Sequence, residues 1–291
     1  MNLADSTETT YYRPHNLDEL DGLIERTDSK LTYLAGATDL MVRQSEWNET
    51  DKIVDLTAVV ELNETIINIK DGIQIGASVV MGDLIHHPAI LEKIPILVET
   101  LQQIGSVQIQ NRATLGGNIS NASPAGDSLP VLNVLNAEVW IGPRINGEFA
   151  KNSIDKIMAG PGTTFLKNNQ YIAFIYIPFP KNEDLFYSFK KVGQREALAI
   201  SKLSLAVLGW IDDGVIKEIR ISPGAVTPIV SRAFKTENFL NGKKLNEETI
   251  EIARDILEGE ISPISDIRSN IEYRKGICGN LLREILYSII S

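Results

Sequence analysis

The sequence is poor in the residues from which metal and redox centres are usually built. Its 291 residues include one cysteine, Cys278, and three histidines. One cysteine forms no internal disulfide, no four-cysteine zinc site and no iron–sulfur cluster, so Cys278 reads as a buried thiol. His15 stands at a helix start and His86-His87 precedes Pro88 in a turn. With no HExxH spacing, no metal site is expected. There is no GxSxG elbow, which argues against a serine hydrolase, and no GxGxxG fingerprint followed by a Rossmann acidic residue. Positive charge is in deficit: 28 Lys and Arg against 38 Asp and Glu leave a formal net charge of -10. Such a surface repels phosphate backbones and anionic lipid, so neither nucleic acid nor a membrane surface is an expected partner. One bound dinucleotide stays compatible, because backbone amides hold a pyrophosphate without net positive charge. No apolar run approaches the ~20 residues that span a bilayer. The N-terminus lacks a basic segment followed by an apolar run, so no secretory signal is read and the cytoplasm is the expected location.

What is present is an ordinary globular composition, 43% hydrophobic, with a length that suggests about two domains. Asn16 can cap a helix that starts at Leu17, with acidic residues in its first turn and Leu20, Leu23 and Ile24 on one face. A strand at Leu31–Leu34, a helical stretch over about 39–46 and a strand at Lys52–Leu56 give a βαβ rhythm. Residues 65–76 read as a hairpin about Asp71-Gly72. A helix opens at Met81, and a longer one over about 89–103 carries Pro95 as a kink. Val131–Leu135 reads as helix and Ala137–Ile141 as strand. From about residue 183 the pattern changes to strands at Phe186–Val192, Leu203–Ile211 and Val215–Ser222, then helices at Asn246–Gly259 and Arg274–Ile290. Asp212-Asp213-Gly214 is a hairpin turn and lacks the later ligands of a calcium loop.

Two segments carry the chemistry. Leu34-Ala35-Gly36-Ala37-Thr38-Asp39 is a strand-to-helix turn whose small residues let backbone approach a phosphate closely. Alone it reads first as a plain connection, since such turns between strand and helix are common. The second runs from Gly105 to Asp127: a Gly-, Asn- and Ser-rich stretch in which Gly116-Gly117 permits close backbone approach. Thr114, Asn118, Asn121 and Ser123 there supply uncharged hydrogen-bonding groups. Ile104, Val107, Ile109, Leu115 and Ile119 anchor it, so it reads as a long polar loop with a function rather than a linker.

This pair of segments resembles the flavin-binding subunit, or domain, of the xanthine dehydrogenase and carbon monoxide dehydrogenase family. The family carries an Ala-Gly-Gly-Thr-Asp-like first loop. Its second loop resembles Gly-Ser-x-Gln-Ile-Arg-Asn-x-Gly-Thr-Leu-Gly-Gly-Asn-Ile followed by Ala-Ser-Pro-x-x-Asp. The sequence departs at Gln110, where the family often has Arg, at Ala113, where it often has Gly, and at Ala37, which replaces the second glycine of the first loop. That last change matters only where the position needs a positive φ. Phe189-Lys190-Lys191 with Arg195 resembles a further family segment near the flavin ring, and the Pro263–Arg268 and Glu272-Tyr273-Arg274 tail resembles the end of its C-terminal domain.

The resemblance implies an α+β fold: a two-subdomain FAD-binding unit of the vanillyl-alcohol oxidase type, over about 1–60 and 61–180, and a small α+β C-terminal domain over about 183–291. It implies that Ala35, Gly36, Ala37, Thr38 and Asp39 grip the pyrophosphate of FAD, and that Thr114, Gly116, Gly117, Asn118 and Asn121 clasp the same cofactor. Asp127 would bind ribityl or ribose hydroxyls, although it also reads as the N-cap of the next helix. One of Lys190 and Lys191 would reach the flavin, since alternation turns only one toward it, and Lys190 is the expected one. Ile104 would pack on the ring or close a helix end. The implied function is electron transfer through FAD within a molybdenum hydroxylase whose iron–sulfur subunit and molybdopterin-binding large subunit are separate chains, in a heterotrimer. The alternative is a stand-alone flavin reductase or oxidase of the same fold.

Overall fold

The computed structural model describes residues 10–42, 52–181, 183–195, 198–266 and 269–290. The chain first forms β1 (Tyr11–Tyr12), α1 (Leu17–Glu25), β2 (Leu31–Leu34) and β3 (Lys52–Asp55), and the strands pair in parallel in the order β1-β3-β2. Asn16 caps α1 by accepting from the Glu19 amide at 2.9 Å. Leu17, Leu20 and Ile24 then lie on one side of the helix and pack with Leu31, Val54 and Leu56. The expected helix over 39–46 is not formed where it can be seen: Thr38–Val42 make a turn, and residues 43–51 lie outside the described ones. A short helix, α2 (Val60–Glu64), leads on.

The second unit opens with the expected hairpin, β4 (Ile66–Ile69) and β5 (Gly72–Gly76). Helices α3 (Met81–His86), α4 (Pro88–Lys93) and α5 (Pro95–Leu101) follow. Pro95 does not kink one helix. It starts a new one at its first position, where a missing N–H costs nothing, and Ile94 between the two has φ -138° and ψ 52°. The 105–127 stretch is likewise not one loop, since it contains α6 (Val107–Gln110) and α7 (Leu115–Asn121). Then come α8 (Ser128–Val134), β6 (Glu138–Ile145), β7 (Glu148–Ser153), the short pair β8 (Met158–Gly160) and β9 (Thr163–Thr164), and β10 (Tyr171–Pro178). Strands β4-β5-β10-β6-β7 form an antiparallel sheet in that order. Strand β10 is its keystone and is apolar almost throughout because both faces are covered. Tyr171, Ala173 and Phe174 pack on the first unit, whereas Ile172, Ile175 and Ile177 pack on the helices.

The last unit is a three-stranded antiparallel meander, β11 (Leu185–Val192), β12 (Leu203–Asp212) and β13 (Val215–Gly224). Asp213 (φ 48°) and Gly214 (φ 74°) form the β12–β13 turn, both left-handed as a two-residue hairpin of this hand requires. Helices α9 (Phe234–Leu240), α10 (Glu247–Glu260) and α11 (Ile271–Ile290) cover one face. Leu205, Val207, Ile219 and Ile221 meet Leu257, Leu282 and Cys278 there, and burial pushes the Cys278 thiol up to about 12. The other face turns toward the second unit, with Phe189, Ala206 and Leu208 in its core. Arg220 reaches across to the Val134 carbonyl at 3.1 Å. The architecture is α+β.

Candidate functional site

The two segments singled out by sequence meet across one cleft of about 740 Å³. It is lined by β2 and the turn after it, by parts of α6 and α7, by the stretch from Thr164 to Ile172 and by Ile200. Ala35, Gly36, Ala37, Thr38, Asp39, Ile104, Thr114, Gly116, Gly117, Asn118 and Asn121 all line it.

The turn after β2 rests directly on the second segment. A Cβ on Gly36 would fall 1.9 Å from the Arg112 carbonyl oxygen, so only glycine lets the two backbones approach this closely. Ala37 then takes φ 58°, the left-handed conformation that a glycine would adopt without strain. The amides of Gly36, Ala37 and Thr38 have no hydrogen-bond partner among the described residues. Successive unpaired amides in a turn of this kind form a concavity suited to an anion.

The second segment is built differently. Thr114 caps α7 by accepting from the Gly117 amide at 3.0 Å; the Gly116 amide donates to Ala77 O at 3.1 Å and the Asn118 amide to Thr114 O at 3.0 Å. The first-turn amides are therefore consumed internally. Gly116 is buried, and a Cβ there would meet Ala77 at 2.6 Å; Gly117 is exposed to the cleft. Asn118 offers its side chain. Gln110, where the resembled family often carries Arg, is buried and donates to the carbonyls of Gln102 and Ile104, both at 3.1 Å. That holds Ile104 at the cleft wall beside Ile109 and Ile200. Tyr33 and Tyr171 form a neutral wall: burial pushes both hydroxyls well up, with Asp21 adding to the shift. Tyr171 donates to Asp21 at 2.7 Å, and Arg144 closes the same carboxylate at 2.6 Å.

Two expected residues are placed elsewhere. Asp127 is buried and does not line the cleft, nor does its side chain cap α8. It accepts from Ser201 Oγ at 2.5 Å and pairs with Lys191 Nζ at 2.7 Å. Lys190 is corrected by strand phase. Along β11, Phe189 and Lys191 face the second unit, whereas Lys190 faces α11 and pairs with Glu284 at 3.2 Å, with 43% of its side chain exposed. Lys191 also donates to Gln103 O at 2.8 Å. Arg195 is exposed and donates to Leu198 O, and Arg268 lies outside the described residues. Sequence reasoning missed Thr164, Leu166, Lys167, Asn168 and Gln170 as cleft residues. The only signal there is a polar turn, Lys167-Asn168-Asn169-Gln170, which marks a loop but not what it faces. Among the described residues no His, Cys, Asp and Glu group could hold a metal, and no helix is long and apolar enough to cross a membrane.

Comparison with known proteins identifies the family. The profile of the FAD binding domain in molybdopterin dehydrogenase matches residues 6–180, and that of the CO dehydrogenase flavoprotein C-terminal domain matches residues 187–289. The chain is 28% identical over 273 residues to the glyceraldehyde dehydrogenase medium chain of Sulfolobus acidocaldarius, covering 93% of this chain and 94% of that one. It is 27% identical over 277 residues to the nicotine 6-hydroxylase medium subunit of Paenarthrobacter nicotinovorans, covering 95% of each. The fold matches a chain of carbon monoxide dehydrogenase from Hydrogenophaga pseudoflava with a TM-score of 0.89 at 24% identity, over 97% of both chains. The chain thus belongs to the family of FAD-binding domains of molybdopterin dehydrogenases, and is the FAD-binding medium subunit of an oxidoreductase of the CO and xanthine dehydrogenase type.

Proposed function

We propose that FAD lies in the 740 Å³ cleft between the turn after β2 and α7, with its pyrophosphate on the amides of Gly36, Ala37 and Thr38. The observation that carries this reading is those three adjacent amides, unpaired and lining the cleft. The volume falls within the range of about 300–1,000 Å³ usual for ligand sites. An aliphatic wall of Ile104, Ile109 and Ile200 suits a flat ring system, and the Asn118 carboxamide supplies a polar contact beside it. Bound there, FAD supplies redox chemistry that the side chains of this chain lack. The protein excludes water with the Ile104 wall, holds the phosphates with backbone, and keeps Tyr33 and Tyr171 protonated. Asp127 and Lys191 act as a buried tie between the flavin-binding part and the C-terminal unit. The unit boundaries are drawn near residues 60 and 180, with three cores that share strands across them: β10 adds to the first core, and Phe189, Ala206 and Leu208 to the second. The subunit would link a partner iron–sulfur subunit and a molybdopterin-binding large subunit to an external electron acceptor, within a cytoplasmic heterotrimer.

The test is to express the chain alone and record its absorption. Bands in the near-ultraviolet and blue, with FAD released on denaturation, are expected. A colourless chain that stays colourless after incubation with excess FAD would count against the cleft as a self-sufficient site. Co-purification with iron–sulfur and molybdenum subunits tests the assembly, and a chain that purifies alone from its native source would overturn it.

A further inference from the structure

The Asn118 carboxamide has one end tied and one end open. Ser128, at the first position of α8 and with no exposed surface, donates its hydroxyl to Asn118 Oδ1 at 2.6 Å. The Asn118 side-chain nitrogen has no partner among the described residues, and Asn118 lines the cleft. Gly126 lies against the same oxygen, since a Cβ there would come within 3.3 Å of it.

A carboxamide can turn over about its last bond, exchanging oxygen for nitrogen, and the surroundings decide which end points where. Turning Asn118 over would set its NH2 against Ser128 Oγ, which can accept, but would leave the Ser128 hydroxyl hydrogen buried with no acceptor, because Asn118 Oδ1 is its only acceptor among the described residues. A buried hydroxyl hydrogen without an acceptor is costly, which favours the orientation with the Asn118 oxygen toward Ser128.

We propose that Ser128 is a positioning residue that holds the Asn118 NH2 group toward the cleft, so that this point of the site selects a hydrogen-bond acceptor, a phosphate or ring carbonyl oxygen, and disfavours a donor. The inference rests on the reading of the cleft as the FAD site. Ser128 itself touches no ligand and acts only through Asn118.

The experiment is a double-mutant cycle on the flavin-stripped full chain, with FAD binding followed by flavin fluorescence and folding followed by thermal melting. Asn118→Ala is expected to weaken FAD by about 10-fold, the loss of one hydrogen bond. Ser128→Ala is expected to weaken it by about 3- to 10-fold in the parent. In the Asn118→Ala background Ser128→Ala should add no further loss, whatever it does to the melting temperature. Asn118→Asp, which keeps an oxygen for Ser128 but replaces NH2 by oxygen, should bind FAD more weakly than Asn118→Ala. If Ser128→Ala lowers folding too far, Ser128→Cys fills the same space with a poor donor and should repeat its loss of affinity. Equal losses from Ser128→Ala with and without Asn118 would overturn the inference while leaving the site intact. So would unchanged affinity in both Ser128 variants alongside a weakened Asn118→Ala. Asn118→Ala that binds FAD as the parent does would overturn the contact of Asn118 and the role of Ser128 with it, whereas parent chain that binds no FAD would instead count against the reading of the cleft itself.

Discussion

The two segments that line the cleft look alike in sequence, both small, polar and glycine-bearing, yet they present opposite chemistry. The turn at Gly36–Thr38 leaves three backbone amides unpaired on the cleft. The segment around α7 spends the amides of Gly116, Gly117 and Asn118 on Ala77 and Thr114, and lines the cleft with Thr114, Asn118 and Asn121. Glycine serves the same end in each. Gly36 lets the first turn sit on the Arg112 carbonyl, and Gly116 lets α7 sit on Ala77. A Gly-Gly pair therefore marks close packing here rather than open amides. In the proposed FAD site the first turn would meet charge, and the second segment would meet the pattern of donors and acceptors.

The largest expected effect comes from cutting the second segment loose. Asp127, at its end, is held by Lys191 in a pair whose side chains are 7% and 10% exposed. Lys191→Ala leaves a buried, uncompensated carboxylate and should cost about 3–5 kcal/mol in chemical denaturation. Replacing both residues with apolar ones, Asp127→Leu with Lys191→Met, should recover much of that loss. A Lys191→Ala chain that unfolds as the parent does would show that the pair is not buried in solution. Cutting the first turn loose comes next. Gly36→Ala forces the two backbones apart and should cost about 3 kcal/mol and most FAD affinity. Gly117→Ala meets only the Thr114 hydroxyl, at 2.9 Å, and should cost about 1 kcal/mol. Equal effects from the two alanines, compared by melting and by FAD titration, would erase the contrast.

Local signals in the sequence were legible where one residue decides one bond. Asn16 ahead of Leu17, the hairpin about Asp71-Gly72 and the left-handed Asp213-Gly214 turn all follow from such rules. The polar 105–127 stretch hid two helices because each is shorter than two or three turns, below the length at which apolar periodicity speaks. Pro95 was equally compatible with a kink and with a fresh start, and Ile94 decides between them. Of the cleft residues, those on the two segments were visible as composition. The Thr164–Ile172 wall was not, because only the return of β10 beside β5 and β6 brings it there. The choice between Lys190 and Lys191 needed the phase of β11 relative to its neighbours. Alternation requires the two to face apart but does not say which faces where.

Ala37 sharpens the contrast from the other side. It is an L-residue at φ 58° in the segment that works through its backbone, a conformation costing about 1–2 kcal/mol. Ala37→Gly relieves that strain but gives the unfolded chain more freedom, a loss of about 0.4–1 kcal/mol. The net expectation is a gain of up to about 1 kcal/mol in unfolding free energy, with FAD affinity unchanged or better. A loss of stability would show that the turn is not left-handed in solution.

The smallest effect concerns what stands behind the first turn. Asp55 pairs in register with Leu34, the last strand residue before the turn, and accepts from the Tyr11 hydroxyl and from the Thr57 amide at 2.8 Å. Burial pushes its carboxyl up, but those hydrogen bonds and Arg13 at 3.5 Å pull it further down, so it sits below the ordinary carboxylate value. The charged form is thus the one the fold prefers. Its contribution is present above the ordinary value near 4 and is lost as pH falls below that, through the depressed folded value. Asp55→Asn should therefore cost about 1 kcal/mol at pH 7 and almost nothing near pH 2, so that parent and variant stabilities converge on acidification. The convergence should be seen most clearly in hydrogen exchange of the β2–β3 ladder that carries the turn. Parallel stability curves from pH 7 to pH 2 would mean that Asp55 acts as a neutral group, and the turn would then owe its position to Gly36 and Arg112 alone.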